Sequence, residues 1–350
     1  MRKPRSVRDA DVGGKRVLVR ADLNVPLEAG RVADDTRIHA SLPTLELLLE
    51  REAVHVRVCS HLGRPKGPDP AFSIEPVRRR LRELLPDERI EVLENTRFAP
   101  GETKNDPDFA RELADGDEVF VQDAFGSVHR AHASTVCVAE LLPAYAGLLL
   151  ERELEHLARL LGDVERPFVL VSGGAKVEDK LGVLGNLGGR ADNVLIGGKM
   201  AEELRAENAA HFRLGNVLLP TDVVAAAAFE PDAETKIVGF DELPDGWLGL
   251  DIGPETRERF ARELRGAKTI FWNGPMGVFE WPRFADGTKA VAEAVAAADA
   301  FSVVGGADSI RALNELGLTD RVSWASTGGG AALELLEGKT LPGVAVIPAA

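Results

Sequence analysis

Residues 169–182 read VLVSGGAKVEDKLG, and this stretch constrains the rest of the chain more than any other. The apolar run 168–171 suits a short buried strand, 172–174 a turn, and Val177 onward the start of a helix. A glycine pair at such a junction lets backbone N–H groups come close to a ligand. The helix N-terminus behind it favours negative charge. Lys176 and Lys180 lie four apart, so a helix through both stacks their ammonium groups on one face. The motif alone reads equally as a phosphate cradle and as an ordinary turn with two solvated lysines.

The strand–turn–helix pattern recurs along the chain. In the first half, 16–21 (RVLVRA), 54–59 and 118–122 (EVFVQ) read as strands, with helices over 36–51, 73–85 and 107–113. Asp34 and Asp35 are placed to cap the first helix, where Ile38, Leu42, Leu45 and Leu49 recur at helical spacing. Ser73 is placed to cap the second. Residues 148–161 (LLLERELEHLARLL) predict a stiff connecting helix without Gly or Pro. Beyond it, strands are expected near 168–172, 193–196, 269–272 and 301–304. The alternation predicts an α/β chain of two doubly wound parallel-sheet domains joined by a helix. A length of 350 residues also favours two cores over one.

Charge and cysteine usage exclude several classes. A net charge of −14 argues against general nucleic-acid binding. Cys59 and Cys137 show neither a disulfide framework nor metal-ligand spacing, which fits a reducing cytosol. No apolar run approaches the ~20 residues of a bilayer span, and the N-terminus lacks a signal-peptide core. The acidic excess falls mainly in residues 151–350, so an anionic substrate meets less repulsion in the first half.

Loops after the first-half strands share a chemistry. They supply Asp22 and Asn24, Arg37 at the next helix start, His61 and Arg64 beside Gly63, Arg97, and then His129, Arg130 and His132. Arginine grips phosphate and carboxylate in bidentate fashion, so converging loops of this kind make a pocket for a small polyanion. Singly, each such residue is more often solvated. Arg78, Arg79, Arg80 and Arg82 lie mid-helix and read as a solvated face. In the second half, IGGKMAE, WNGPMGVFE, VGGADS and STGGGAA each follow a strand or open a helix. Their glycines permit close approach to a nucleotide, with Asp308 available to a metal and Glu280 to a ribose hydroxyl. There is no Walker motif and no G-x-G-x-x-G after the first strand, which weakens a dinucleotide-binding reading.

Taken in order, RADLNVP, SHLGRPKG, AFGSVHRAHAS, GGAKVEDK, LPDGWLGLDIGP, WNGPMGVFE, GGADS and STGGGAALE resemble the signature segments of the phosphoglycerate kinase family, over essentially the whole chain. The resemblance implies reversible phosphoryl transfer between ATP and 3-phosphoglycerate, giving 1,3-bisphosphoglycerate and ADP without a covalent enzyme intermediate. It implies a substrate domain over 1–150, a nucleotide domain over 151–337 with a hinged cleft between the two, and a tail, 338–350, that returns to the first domain. By similarity, Asp22, Asn24, Arg37, His61, Leu62, Gly63, Arg64, Arg97, His129 and Arg130 bind 3-phosphoglycerate. Gly173, Gly174, Lys180, Asn273, Pro275, Gly277, Glu280, Gly305, Gly306, Ala307, Asp308 and Ser309 bind the nucleotide. Arg37, Lys176 and the helix-opening Gly328, Gly329 and Gly330 serve catalysis, and Asp308 holds Mg2+. A cytoplasmic monomer without nucleic-acid or membrane partners is expected.

The chain departs from the family pattern in four places. It is short between Leu85 and Glu94 and again after Arg205, and Lys199 and Ala307 stand where a third glycine is usual. A rival reading, a weakened relative that only binds nucleotide or protein, draws on Lys199 and the trimmed segment. Intact Lys176, Arg37, Arg130 and Asp308 favour the enzyme.

Overall fold

The computed structural model describes residues 2–175, 177–206 and 215–350. The chain forms two compact units, the first running to Glu155 and taking in Thr340–Ala350, the second spanning His156–Lys339.

In the first unit, β1 (Arg16–Arg20) leads through a small hairpin, β2 (Leu27–Glu28) and β3 (Arg31–Val32), into α1 (Thr36–Glu50). Then come β4 (His55–Cys59), α2 (Glu75–Leu84), β5 (Ile90–Val92), α3 (Pro107–Ala114), β6 (Val119–Gln122), α4 (Cys137–Leu141), β7 (Ala144–Ala146) and α5 (Leu148–Leu161), which runs from the first unit into the second at His156. The five main strands are parallel in the order β5-β4-β1-β6-β7. β6 is buried along its whole length and β1 from its second residue onward. Runs of this kind are what a sheet covered on both faces requires.

Helix α1 buries Ile38, Ser41, Thr44, Leu45 and Leu48. The buried face is therefore rotated from the expected stripe, and Leu42 and Leu49 lie at its edges. Thr44 takes a core position because its hydroxyl accepts from Leu148 N (2.9 Å), one of the unpaired amides at the start of α5. Asp123 accepts from Leu149 N (2.9 Å) at the same helix end, and burial pushes its carboxyl up to about 6. At the start of α1 the capping bond comes from Asp34, which accepts from Thr36 N (2.8 Å). Asp35 instead pairs with Arg80 (2.7 Å). The C-terminal segment docks on the same unit: Gly343 N donates to Val128 O (2.9 Å) and Arg2 Nη2 to Ile347 O (2.7 Å).

The second unit contains β8 (Phe168–Ser172), α6 (Leu181–Gly188), β9 (Asn193–Ile196), α7 (Lys199–Ala206), β10 (Val217–Leu218), β11 (Asp222–Ala226), β12 (Thr235–Gly239) and β13 (Leu248–Ile252). It continues with α8 (Pro254–Gly266), β14 (Thr269–Asn273), α9 (Asp286–Ala297), β15 (Phe301–Gly305), α10 (Ala307–Glu315), β16 (Trp324–Ser326) and α11 (Gly330–Leu336). Its main sheet is parallel in the order β10-β9-β8-β14-β15-β16. A separate antiparallel sheet, β12-β11-β13, has no counterpart in the sequence reading. The apolar run 223–229 (VVAAAAF) over β11 is alanine-rich and shows no strand alternation, and β12 is largely exposed, with Ile237 facing solvent, so no strand pattern marks the sheet.

The helix after the central glycine pair begins later than expected. A single 3₁₀ turn covers Glu178–Lys180 and α6 starts at Leu181. Lys180 has φ −124°, outside the helical region, so it precedes the helix instead of stacking along it. Lys176 and residues 207–214 lie outside the described residues.

Candidate active site

In a doubly wound sheet, ligands bind beyond the strand carboxyl ends where the strand order reverses. In the first unit that point lies between β1 and β6. Asp22 follows β1, almost fully buried, and Arg37 Nη1 donates to its carboxylate. Gly126, after β6, approaches so closely that a Cβ would sit 2.4 Å from Asp22 Oδ2. Asn24 Oδ1 accepts from Gly63 N (2.8 Å). Gly63 has φ +64° and faces the Phe72 ring, so it both needs the left-handed conformation and has no room for a side chain. Leu62 turns its side chain into the core, leaving only its backbone to the loop.

Arg97 Nη1 donates to Gly63 O, while its Nε is buried without a partner among the described residues. Burial, with Arg130, Arg20 and Arg64 beside it, lowers the proton affinity of Arg97. Arg130 is exposed and its Nε contacts His129 Nε2 (3.0 Å). His61 is nine-tenths buried, and burial with Arg20, Arg97 and Arg37 nearby holds its ring well below the usual imidazole value. The structure therefore gathers Arg37, His61, Arg64, Arg97, Arg130 and His132 around one carboxyl edge. A positive cluster holding an unfilled buried donor suits an anion.

The sequence reading passed over Arg20. It is fully buried at the end of β1 and donates to Ser134 Oγ (2.8 Å), Ala21 O (2.6 Å) and His61 Nδ1 (3.0 Å). An arginine following directly on the apolar run 17–19 was the available signal.

In the second unit the order reverses between β8 and β14, and the glycine loops there are stitched by backbone bonds. Gly173 N donates to Asn273 O (3.1 Å), Gly198 N to Met276 O (3.0 Å) and Met200 N to Gly174 O (3.2 Å). Gly274 N donates to Ser309 Oγ (2.7 Å). A Cβ on Gly173 would sit 2.0 Å from Pro275 O, so two loop backbones touch there. Lys180 Nζ donates to Asn273 O (2.8 Å) and to its side-chain oxygen. Gly306, with φ +90°, caps α10, whose exposed first turn carries Ala307 and Asp308. Neither Ala307 nor Lys199 has positive φ, so the missing third glycines cost no backbone strain. Gly329 caps α11 with φ +52°.

Gly277 packs on Asp251, 2.4 Å from where its Cβ would lie. Asp251 accepts from Gly287 N (2.7 Å) at the start of α9 and from Ile252 N (2.9 Å), yet burial pushes its carboxyl up to about 7. Glu280 lies 3.8 Å from Arg311 of α10. Among the described residues no cluster of three or more His, Cys, Asp or Glu side chains forms a metal cage. A lone carboxylate such as Asp308 still fits Mg2+, which commonly takes one or two carboxylates plus substrate phosphates.

Compared with known proteins, the chain matches the family model described as phosphoglycerate kinase over residues 7–92, 85–215 and 202–339. It is 52% identical to the phosphoglycerate kinase of Rubrobacter xylanophilus, with 98% of each chain covered. It is 51% identical to that of Thermus thermophilus, covering 98% of this chain and 99% of the relative. Among solved structures, phosphoglycerate kinase from Coxiella burnetii superposes with a TM-score of 0.88 at 37% identity, over 98% of both chains. That from Pyrococcus horikoshii gives 0.84 at 30% identity, again over 98% of both.

Proposed function

The chain belongs to the phosphoglycerate kinase family, and from that premise we infer that it moves a phosphoryl group reversibly between ATP and the carboxylate of 3-phosphoglycerate. The observation that carries this reading is the chemistry of the two carboxyl edges. One gathers arginines and histidines; the other gathers glycine loops whose backbones lie close enough to admit only glycine. The first suits a small polyanion, the second a nucleotide.

On this reading Asp22, Asn24, Arg37, His61, Arg64, Arg97, His129 and Arg130 hold 3-phosphoglycerate, with the backbone of Leu62 and Gly63 completing the loop. Gly173, Gly174, Lys180, Asn273, Pro275, Gly277, Glu280 and the 305–309 loop hold ATP. The first unit with its docked tail is the acceptor domain, the second the nucleotide domain. Phosphoryl transfer forms no bond to the protein; it needs the acceptor and donor in line, charge stabilisation and exclusion of water. Arg37 and Lys176 supply positive charge to the transferring group, and the 328–330 glycines offer backbone donors. Asp308 holds Mg2+, which when bound neutralises phosphate charge. The same reading takes the chain as a cytoplasmic monomer. The residues assigned to both substrates come from one chain, no described helix is long and apolar enough to cross a membrane, and the net charge opposes polyanionic partners.

A coupled assay with ATP, Mg2+ and 3-phosphoglycerate tests the function. Turnover that requires all three supports it. ADP binding without turnover would establish the binding-module reading instead.

A further inference from the structure

Beneath the positive loops of the first unit lies a carboxylate that none of the proposed roles uses. Glu102 is fully buried. Its Oε2 accepts from Ser134 N (3.0 Å), and its Oε1 from Ser134 Oγ (2.6 Å) and Thr96 Oγ1 (3.2 Å). Its own carbonyl accepts from Ala133 N (2.9 Å), so one residue ties down the loop that carries Arg130 and His132. Burying a carboxylate is costly unless hydrogen bonds fill its lone pairs, and here they do.

The bonds beyond Glu102 have a fixed polarity. Ser134 has one hydroxyl proton, which goes to Glu102, so toward Arg20 Nε (2.8 Å) its oxygen accepts. Arg20 Nη2 lies 3.0 Å from His61 Nδ1. A guanidinium donates and never accepts, so Nδ1 must offer its lone pair and the proton of the neutral ring resides on Nε2. Nε2 has no hydrogen-bond partner among the described residues, so its N–H is available to a ligand.

We propose that Glu102 is a positioning residue for the acceptor substrate: through Ser134 it holds Arg20, and Arg20 holds His61 in the tautomer whose Nε2–H donates to an oxygen of 3-phosphoglycerate. This role rests on reading the loop cluster as the 3-phosphoglycerate site. Arg20 then acts as more than a counter-charge. Its orientation selects which imidazole nitrogen carries the proton, and Glu102 fixes that orientation from a place no substrate touches.

The test combines kinetics with histidine NMR. Glu102→Gln keeps the shape and removes the charge. The expected result is a KM for 3-phosphoglycerate raised roughly tenfold or more, with kcat and the KM for ATP changed about twofold at most. His61→Gln raises the same KM, and the double variant adds little to it, because both changes break one path. In ¹⁵N-histidine spectra, the wild-type His61 signal, assigned by its loss in His61→Gln, shows the Nε2-protonated form. Glu102→Gln and Ser134→Ala turn it into a tautomer mixture. An unchanged KM and tautomer in Glu102→Gln, or effects that add fully to those of His61→Gln, overturn the proposal. If His61→Gln leaves the KM unchanged, the reading of the site itself fails. If it raises the KM and Glu102→Gln does not, only the role of Glu102 fails. Should Glu102→Gln not fold, Ser134→Ala breaks the same path at a neutral side chain, and additivity there is equally fatal.

Discussion

At the residue scale, Arg97 and Asp251 show two ways in which burial stores function. Arg97 keeps a buried Nε without a partner in a crowd of positive charge, an arrangement that an anion relieves. Arg130, exposed at the rim of that crowd, allows a clean test because its loss removes little packing. Arg130→Ala is expected to weaken 3-phosphoglycerate binding by about 1.5–3 kcal/mol, the value of a charge-assisted contact, and to leave ADP binding unchanged in calorimetric titration. Equal weakening of both ligands would refute the assignment of substrates to units. Asp251 carries a pH signature. Burial raises its folded-state value to about 7, while in the unfolded chain it titrates as an ordinary carboxyl near 4. Between those values the folded state holds a proton that the unfolded state has lost. Stability from this group therefore falls as pH rises from about 4 to about 7 and is level above. Asp251→Asn is expected to flatten that part of the wild-type profile, measured by urea unfolding from pH 4 to 8. An identical slope in both proteins would show that Asp251 does not titrate in that window.

At the element scale, what matters is how strand ends meet. β8 and β14 lie side by side, and the loops leaving them touch backbone to backbone at Gly173 and Pro275. Gly173→Ala places a methyl where Pro275 O already sits, and the loops must part. We expect ADP affinity to fall at least about tenfold and unfolding stability by roughly 1–3 kcal/mol, the range for overpacking, with 3-phosphoglycerate binding untouched. Normal ADP affinity in this variant would mean that the loop spacing is irrelevant to the nucleotide. Elements with strong periodicity or unbroken apolar runs, such as α5, β8 and β9, were legible to the residue. The antiparallel sheet was not, because β11 to β13 carry short, mixed segments whose strand character comes from pairing with one another. The start of α6 was also misplaced. Lys180 has helix-compatible chemistry, but its hydrogen bonds to Asn273, distant in sequence, fix it outside the helix.

At the scale of the whole molecule, the two units make separable predictions. In hydrogen exchange, 3-phosphoglycerate alone is expected to slow amides in 21–25, 60–64, 95–97 and 126–132. ADP alone is expected to slow those in 172–175, 196–200, 273–280 and 305–309. Protection that crosses over, with ADP guarding the first set, would overturn the division of roles. The sequence by itself determined the α/β class, the inner strands of both sheets (β4, β1 and β6 in the first; β9, β8, β14 and β15 in the second, but not the edge strands β5, β7, β10 and β16), the joining helix and nearly every loop that reaches a carboxyl edge. These follow from periodicity, glycine placement and residue chemistry, all of which are local. Tertiary structure alone decided which side chains pair: Arg20 with His61, Ser134 with Glu102, Asp251 behind Gly277, Lys180 with Asn273. Those pairings depend on strand order, which brings residues up to about a hundred positions apart within bonding distance. Buried polar groups must find partners wherever the fold puts them, and no local pattern records that choice.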